Sequence, residues 1–360
     1  MWKAAIEAIQ NNDKDWINNN HLAFRSFFRE ENTLEKGKLG KKALDLHYKE
    51  RLFKMFIENS LGGLELDLKT GAKWIENASH LDGNWGWLLA IGVGGGYFTH
   101  YLEEDLRESF FKPENALIAG SGKPVGKAEK EKDLWKVNGS WDYCSGSEQA
   151  SLFTAVTQKD GRITAMVLPK DQVKIERNWN AIGLKLTCSH RIIAENVQIT
   201  EDHFFDLSQS PASSEYPLSS YPFDLFARVC FVPVVLGISK SLWLEVQKIV
   251  DRKMNIWKQY QPEKYHKIQH LISEFEKELD KLSNAFYAAV ERSWKGHLNK
   301  RDAHISAVQK YSLELSHFCY NKTSRIVPLL GMEVMELDHP VQVCWQDLQT
   351  AYQHMVFRDY

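Results

Sequence analysis

The sequence is poor in cysteine. Its five cysteines are scattered and odd in number, and no two of them form a CxxC pair: Cys144, Cys188, Cys230, Cys319 and Cys344. This arrangement disfavours both a disulfide framework and a zinc site, so we predict no metal site. Scattered free thiols suit a reducing compartment, and we therefore expect a cytoplasmic protein.

Long apolar runs and an excess of one charge are also missing. The longest apolar run, FVPVVLGI at 231–238, is far shorter than the ~20 residues that cross a bilayer. The N-terminus lacks the apolar segment of a signal peptide. The chain has 45 basic and 47 acidic residues, which argues against a basic nucleic-acid-binding surface. We expect neither a membrane nor a nucleic acid as a partner.

Aromatic residues, in contrast, are abundant, with 12 Trp, 13 Tyr and 18 Phe in 360 residues. Large rings can line a flat apolar cavity, but they also fill hydrophobic cores, and core filling is the simpler interpretation. A chain of this length exceeds one ordinary core, so we expect two or three packed subdomains.

The spacing of apolar residues changes twice along the chain and predicts three domains. Residues 1–112 are helical in pattern, with one helix in ALDLHYKERLFKMFIENS and one in LKTGAKWIENASHLDGNWGWLLAIGVG, whose tryptophans are attributed to helix packing. Residues 214–360 are helical again, and HISAVQKYSLELSHFCYNKTSRIVPLLG and PVQVCWQDLQTAYQHMVF are the last two predicted helices. The clearest helix there carries an apolar stripe typical of a bundle: Leu271, Phe275, Leu279, Leu282, Phe286 and Ala289.

Between these regions, residues 113–213 alternate with a period of two. Short β-rich runs are separated by Gly, Asn and Asp, and Asp160-Gly161 in QKDGRITAMVL predicts a hairpin turn. A second turn is predicted at Asn138-Gly139, which opens the stretch NGSWDYCSGSEQA. Several such strands in about 100 residues suggest a small sandwich or barrel.

Four strings, in order, resemble the acyl-CoA dehydrogenase superfamily, nearest its branch of flavin-dependent monooxygenases that hydroxylate aromatic compounds. They are FIENSLGGLELD, SGKPVGKAEKEKDLWKVNGSWDYCSG, WNAIGLKLTCSHRIIAENVQI and HPVQVCWQDLQTAYQH. The first is similar to the family segment that closes an early helix, the next two to its central strands, and the last to its final bundle helix. The resemblance covers roughly residues 40 to 356.

The resemblance implies a mostly α-helical subunit with a central β domain. The parts would be an N-terminal helical domain, a small β-barrel or sandwich and a C-terminal four-helix bundle, assembled as a homotetramer. A flavin, FAD or FMN, would lie between the β domain and the bundle and carry the redox chemistry. The implied function is that of a flavin-dependent oxidoreductase, a monooxygenase that uses O₂ and reduced flavin from a separate reductase on a small aromatic or apolar substrate.

The resemblance also assigns flavin contacts to the strand WDYCSG. Ser145, with Gly146 beside it, takes the position whose hydroxyl or backbone N–H meets the flavin N5 region, and Tyr143 matches an aromatic beside the ring. Strand alternation would place Trp141, Tyr143 and Ser145 on one face, as a wall for the flavin. The alternative without a ligand is a strand-end serine and a core tyrosine.

Other flavin contacts are implied elsewhere in the chain. Ser121 and Gly122, in AGSGKPVG, match a loop near the pyrimidine edge of the flavin, although a plain surface loop is an equal alternative. Thr187 and Ser189, in LTCS, align with residues near the flavin or its phosphates. Arg252 matches an arginine that reaches a flavin phosphate or a neighbouring subunit's cofactor, and its alternative is a solvated side chain.

His354 is the most interesting titratable group. Helical spacing would place Asp347, Ala351 and His354 near one face of the last helix. In the monooxygenase branch, the histidine at this point acts near the flavin and substrate, and with Ser145 it would manage protons as the catalytic pair. An ordinary imidazole pKa of about 6.5 suits proton exchange at neutral pH. The alternative is a surface histidine near a fraying end.

Several departures from the family patterns leave two other functions open. The catalytic glutamate of the acyl-CoA dehydrogenases has no clear counterpart, but Glu333 and Glu336 lie nearby and could serve an enzyme that oxidises an acyl thioester. Val343 and Gln346 stand where two arginines are usual, and Val343 cannot pair with Asp347 as an arginine could. A non-catalytic member of the fold with weakened flavin binding is the third possibility.

Overall fold

The computed structural model describes residues 1–31, 37–209, 216–301 and 304–358. The described helices are α1 (Trp2–Asn11), α2 (Lys14–Glu31), α3 (Lys41–Lys49), α4 (Leu68–Leu81), α5 (Gly83–Gly95), α6 (Glu104–Phe111), α7 (Phe223–Tyr260), α8 (Pro262–Leu298), α9 (Ile305–Ile326) and α10 (Pro340–Ala351). The described strands are β1 (Ile118–Glu131), β2 (Leu134–Cys144), β3 (Leu152–Lys159), β4 (Arg162–Pro169), β5 (Lys174–Glu176), β6 (His190–Ile199) and β7 (Phe204–Phe205). Helices precede and follow the strands, as the apolar spacing indicated. The predicted boundary at 213/214 lies outside the described residues.

The strands form one mixed sheet in the order β5-β6-β2-β1-β3-β4-β7. β1 and β3 pair in parallel, whereas the other neighbouring strands are antiparallel. β3 and β4 form a hairpin in which Lys159 faces Arg162, and Asp160 and Gly161 have φ values of 49° and 75°. Two consecutive left-handed residues make the tight turn predicted there, so that prediction is confirmed.

The turn predicted at Asn138-Gly139 is wrong. Both residues lie inside the continuous strand β2, which pairs with β1 and β6. Gly139 provides space, because a Cβ there would come within 2.4 Å of the Trp141 indole. The register between β2 and β6 also shifts at this point, as at a β-bulge. The Asn-Gly pair therefore marks close packing, and the chain turns earlier, at Lys132, whose φ is 56°.

Two helices that were predicted as continuous are interrupted. Asp82 separates α4 from α5 in an extended conformation, and its carboxylate accepts hydrogen bonds from two backbone N–H groups at the start of α5. Such an N-cap begins a new helix by satisfying its free donors. The helix predicted over 43–60 is also shorter, since α3 ends at Lys49 and Arg51 is left-handed, with φ of 56°.

α7 is the central helix of the protein. It packs against α4, α5, α8, α9 and α10, and one hydrophobic core joins it to helices from both ends of the chain. Among the described residues, α7 alone is long and apolar enough to cross a membrane, but 89% of its most apolar window is buried inside the protein. The stripe predicted on α8 faces the same core, with Leu271, Phe275, Leu279 and Phe286 buried.

Candidate active site

A cavity of about 640 Å³ lies between the sheet and the helices. Residues of α5, β1, β3, α7 and the C-terminal turn line it, and we call this space the site cavity. Three of the predicted site residues, Ser121, Gly122 and His354, share its wall. The rest of the wall is mainly apolar and aromatic, which suits a nonpolar ring.

A larger and more open groove of about 1020 Å³ lies between α8, α9 and the C-terminal residues. None of the predicted site residues lines this groove. The site cavity is therefore the better candidate for the active site, because three predicted site residues line it and none lines the larger groove.

The structure corrects the predicted placement of His354. α10 ends at Ala351, so His354 does not share a helix face with Asp347 but caps the 3-10 turn that follows. Its Nδ1 accepts a hydrogen bond from the backbone N–H of Val356 at 3.3 Å. The imidazole stacks on Phe231 of α7, with 4.4 Å between the ring centroids.

The protonation of His354 follows from these contacts. Burial lowers the pKa of the imidazole to about 4, so the ring is neutral at pH 7. Because Nδ1 accepts a hydrogen bond, the one proton of the neutral ring sits on Nε2. Nε2 itself has no hydrogen-bond partner among the residues that the structure describes. His354 thus offers one N–H donor to a ligand in the site cavity.

Trp87 of α5 connects His354 to a group of buried hydroxyls. Its indole meets the imidazole edge-on, with 5.8 Å between centroids, and its Nε1–H donates to Ser145 Oγ at 2.9 Å. Ser145 Oγ lies 2.7 Å from Ser189 Oγ, which in turn lies 2.7 Å from Thr187 Oγ1. We call Ser145, Ser189 and Thr187 the hydroxyl chain. Three predicted flavin contacts are thus brought together, although neither they nor Trp87 line the site cavity.

Backbone geometry holds the hydroxyl chain in place. Gly146 has a φ of 78°, a left-handed value that suits glycine. Its N–H donates to the backbone oxygen of Thr187 at 2.7 Å. The Ser147 hydroxyl donates to the backbone oxygen of Cys188, also at 2.7 Å and 41 residues away in the sequence. These bonds attach the end of β2 to the loop before β6.

Two buried side chains fix the other end of that loop. The Leu184 N–H donates to Asp347 Oδ1 at 2.6 Å, and the Leu186 N–H donates to Asn84 Oδ1 at 2.9 Å. Burial, together with the nearby Asp82 carboxylate, raises the pKa of Asp347 to about 6. Asp347 therefore positions the loop from α10 and does not face the site cavity.

The arginines expected in α10 are absent, and α2 supplies a cation to this region in their place. Arg25 is buried, and its Nε lies 3.8 Å from Asp82 Oδ2. The charges of Arg29 and Arg25 oppose the rise in the pKa of Asp347. Val343 is buried, so an apolar side chain occupies the position at which an arginine is usual in the family that the sequence resembles.

The predicted wall of Trp141, Tyr143 and Ser145 on one strand face is wrong. Tyr143 has a φ of 67°, and the register between β2 and β6 shifts there, which breaks the alternation of the strand. Trp141 is fully buried in the sheet, whereas Tyr143 is 62% exposed. The Tyr143 ring lies edge-on to Trp179, at 6.3 Å between centroids, and Lys123 Nζ is 4.7 Å from its centre.

The surface next to Gly122 has the chemistry that a flavin requires. Tyr143 and Trp179 provide aromatic rings, and a Cβ at Gly122 would meet nothing within 4 Å, so a ligand can approach the backbone there. Lys123 adds a cation that suits the phosphate of FAD or FMN. The residues present therefore fit the cofactor that the resemblance implies.

Arg252 lies away from the site cavity and is held by an ion pair. Its Nη2 donates to Glu333 Oε1 at 2.8 Å, and Lys253 Nζ lies 2.7 Å from Oε2. Burial raises the pKa of Glu333, but the hydrogen bonds and charges of Lys253 and Arg252 outweigh it and keep that pKa below its ordinary value. A carboxylate held by two cations is poorly suited to act as a base, and neither Glu333 nor Glu336 lines the site cavity.

The five cysteines are buried and unpaired. Burial raises the pKa of Cys144, the neighbour of Ser145, to about 12. Its thiol is therefore protonated at neutral pH and is no candidate nucleophile.

Sequence reasoning missed three residues that build this site. Trp87, attributed to helix packing, also donates to Ser145. Asn84 holds the loop before β6, and Arg228 lines the site cavity; both lie in buried helices, where neither belongs to a motif. The signal that could have found Arg228 is an arginine inside the apolar run FDLFARVCF, because a buried charge requires a partner.

The helices, the mixed sheet and the cavity between them define the acyl-CoA dehydrogenase-like fold. A solved structure of XiaF from Streptomyces sp., in complex with FADH2 and glycerol, has a TM-score of 0.78 with this chain at 16% identity, covering 99% of this chain and 94% of that one. Similarity at that level of identity establishes the fold. No protein-family model matches the chain.

Sequence relatives agree with the fold. The chain is 25% identical over 329 residues to the indole-3-acetate monooxygenase of Pseudomonas putida, covering 89% of this chain and 84% of that protein. It is 24% identical over 151 residues to the flavin-dependent monooxygenase oxygenase subunit HsaA of Rhodococcus jostii, covering 40% of each. The chain is thus similar to flavin-dependent monooxygenases and has the acyl-CoA dehydrogenase-like fold, and the predicted resemblance is confirmed.

Proposed function

We propose that the protein is the oxygenase component of a two-component flavin-dependent monooxygenase that hydroxylates a small aromatic substrate. The observation that carries this proposal is the N–H donor of His354, unpartnered by the described residues, at an apolar cavity, with Trp87 packed against the imidazole. The names of the relatives support it, since one is an indole-3-acetate monooxygenase and another an oxygenase subunit. The reduced flavin would come from a separate reductase.

FAD or FMN would be held on the surface formed by Tyr143, Ser121 and Gly122, with Ser145, Gly146, Thr187 and Ser189 behind it. When bound, the flavin supplies the two electrons with which one atom of O₂ enters the substrate and the other leaves as water. The hydroxyl chain is already closed by internal hydrogen bonds. Its proposed part is therefore to fix Trp87 and the end of β2, near which the flavin would bind.

His354 would orient the substrate and hold a proton at Nε2. Nδ1 is occupied by the Val356 N–H, and the lowered pKa keeps the ring neutral, so Nε2–H acts as a donor at pH 7. A substrate oxygen or a ring π-face could accept this bond. The apolar side chains around it lower the local polarity, which would strengthen such a bond.

We propose the remaining features on the resemblance and on the composition and apolar spacing of the sequence. They are a cytoplasmic location, a homotetramer, the three-domain division at 112/113 and 213/214 with a small β-barrel or sandwich and a four-helix bundle, and no membrane or nucleic-acid partner. In a tetramer, Arg252, which is 62% exposed at its side chain, could reach the cofactor of a neighbouring subunit. The acyl-CoA dehydrogenase alternative is not favoured, because neither Glu333 nor Glu336 lines the site cavity.

A flavin titration followed by turnover tests the proposal. Purified protein is titrated anaerobically with oxidised and reduced FAD and FMN, with flavin fluorescence as the readout. The loaded protein then receives O₂, a reductase with NADH, and a set of indoles and phenols. We expect reduced flavin to bind and products to gain one oxygen atom from ¹⁸O₂. Absence of flavin binding would overturn the proposal, and flavin reduction by an acyl-CoA would support the dehydrogenase instead.

A further inference from the structure

Arg228 is a buried cation on the wall of the site cavity. It lies on α7, its side chain is only 6% exposed, and it lines the cavity together with His354. Its Nε donates to Asp224 Oδ2 at 3.2 Å and its Nη1 to the backbone oxygen of Val356 at 2.8 Å. Within the described parts of the chain, its Nη2 has no partner. An arginine in so apolar a wall requires an acceptor for these remaining donors.

The charges around the site cavity favour an anion. The charged side chains that line it, among the described residues, are Asp224, Arg228 and Arg358. Asp224 is 68% exposed at its side chain, so water weakens its hold on Arg228. The two guanidinium groups outnumber the one carboxylate, although that of Arg358 also packs over the Tyr352 ring, 4.7 Å from its centre.

Val356 places the cation at a fixed position relative to His354. Arg228 Nη1 bonds to the carbonyl of Val356, and His354 Nδ1 bonds to its N–H. Both side chains are thus hydrogen-bonded to the same residue, Val356, and Arg228 and His354 line one cavity. A ligand that meets both would need an acceptor for Arg228 and an acceptor or ring π-face for His354, and the apolar, aromatic wall suits a planar ring between them.

From these observations we infer that the site cavity binds an aromatic acid, in which a planar apolar ring carries a short carboxylate side chain, and that Arg228 binds the carboxylate. This inference rests on the proposed function and names its substrate class. The planar fork of arginine matches a carboxylate, and a hydrogen bond assisted by charge is stronger than one to a neutral group. The alternative is that Arg228 has a structural role only and connects α7 to the C-terminal turn through its bond to Val356.

An isosteric pair of ligands separates the two roles. Indole-3-acetate and indole-3-acetamide have the same ring and nearly the same shape but differ in charge. Their affinities are measured by calorimetry with flavin-free and with flavin-loaded protein. We expect the wild type to bind the acid about 10- to 100-fold more tightly than the amide. In R228Q this ratio should fall to near one, and R228K should restore part of it.

Two further variants keep the test valid if R228Q folds poorly. D224N removes the competing carboxylate at an exposed position, so the acid-to-amide ratio should rise about 2- to 5-fold. R292Q is the matched control, because Arg292 is an exposed arginine on α8, and it should leave the ratio unchanged. Melting temperatures identify any variant that is merely unfolded.

The results distinguish this inference from the proposed function. Equal affinity of the wild type for acid and amide would overturn the role of Arg228, as would an acid preference that survives in R228Q or falls in D224N. These readouts do not require turnover. Failure of flavin binding or of oxygen insertion would instead overturn the proposed function, while a charge preference that depends on Arg228 in flavin-free protein would still stand.

Discussion

Two tryptophans on one helix belong to two different environments. Trp85 and Trp87 lie two positions apart on α5, and each donates its indole N–H to a buried partner. Trp85 Nε1 donates to His47 Nε2 at 2.7 Å, and Trp87 Nε1 donates to Ser145 Oγ at 2.9 Å. Each tryptophan also packs against a histidine whose pKa burial lowers to about 4: His47 beside Trp85, and His354 beside Trp87.

The two histidines differ in what their nitrogens do. His47 has both occupied, since Nδ1 donates to the Ala43 carbonyl at 2.6 Å and Nε2 accepts from Trp85. His354 has only Nδ1 occupied, and its ring borders a cavity. The same residue types with the same direction of pKa shift therefore make a closed core in one place and an open donor in the other. Satisfied hydrogen bonding, and not burial or pKa, separates the core from the candidate site.

The largest expected effect is a loss of stability when the Trp85–His47 pair of the core is changed. W85F removes part of a fully buried side chain and leaves His47 Nε2 without its donor. We expect the free energy of unfolding, measured by urea denaturation, to fall by about 3 kcal/mol.

W87F is the matched control for W85F on the same helix. It should cost about 1 kcal/mol, because Ser145 Oγ keeps its bond to Ser189. It should also change hydroxylation, whereas folded W85F should turn over at the wild-type rate. Equal stability losses in the two variants would contradict the distinction between core and site.

The next prediction concerns His354, whose Nε2–H has no partner among the described residues. H354A removes Nε2–H from the site cavity, and we expect hydroxylation to fall about 100-fold. Flavin affinity, measured by titration, should be unchanged, because His354 is placed on the substrate side. Wild-type turnover in H354A, or a parallel loss of flavin binding, would disprove this role.

A smaller effect is expected from pH. The folded-state pKa of His47 is about 4, against 6.5 for the ordinary group. The stabilisation that comes from a neutral His47 is therefore complete above pH 6.5. It is lost progressively as the pH falls from 6.5 through 4, because the unfolded chain binds the proton first. At pH 5 the loss is about 2 kcal/mol.

The variant H47Q isolates this contribution. It cannot take up the proton, so its unfolding free energy should decline less than that of the wild type between pH 7 and pH 5, although it is less stable at pH 7. Identical declines in urea denaturation would show that His47 does not remain neutral in the fold.

The smallest effect is expected in the hydroxyl chain. S145A leaves the Trp87 N–H without its acceptor and should cost about 1 kcal/mol. It should also weaken flavin binding several-fold in the fluorescence titration. S147A is the control, because Ser147 lies in the same turn but is not part of the hydroxyl chain: its hydroxyl donates to the backbone oxygen of Cys188. A flavin affinity that changes equally in both variants would remove Ser145 from the proposed site.

Local sequence signals predicted local structure well. The Asp160-Gly161 hairpin and the stripe of α8 depend on the conformational preferences of neighbouring residues, and both are present. The family strings also selected Ser145, Thr187 and Ser189, which the fold brings into one hydrogen-bonded chain. Signals of this kind fail where a side chain caps or a bulge interrupts an element, as at Asp82 and Tyr143.

The sequence by itself determined the order of helices and strands and the similarity to flavin-dependent monooxygenases, and it proposed several residues of the candidate site. Only the tertiary structure decided which of them meet. Trp87 and Ser145 are 58 residues apart, and Arg228 and Val356 are 128 residues apart. Periodicity reports which face of an element is apolar, but not which polar atom remains unpaired after distant segments pack. That remaining polarity, at His354 Nε2 and Arg228 Nη2, is what makes the site cavity a candidate active site.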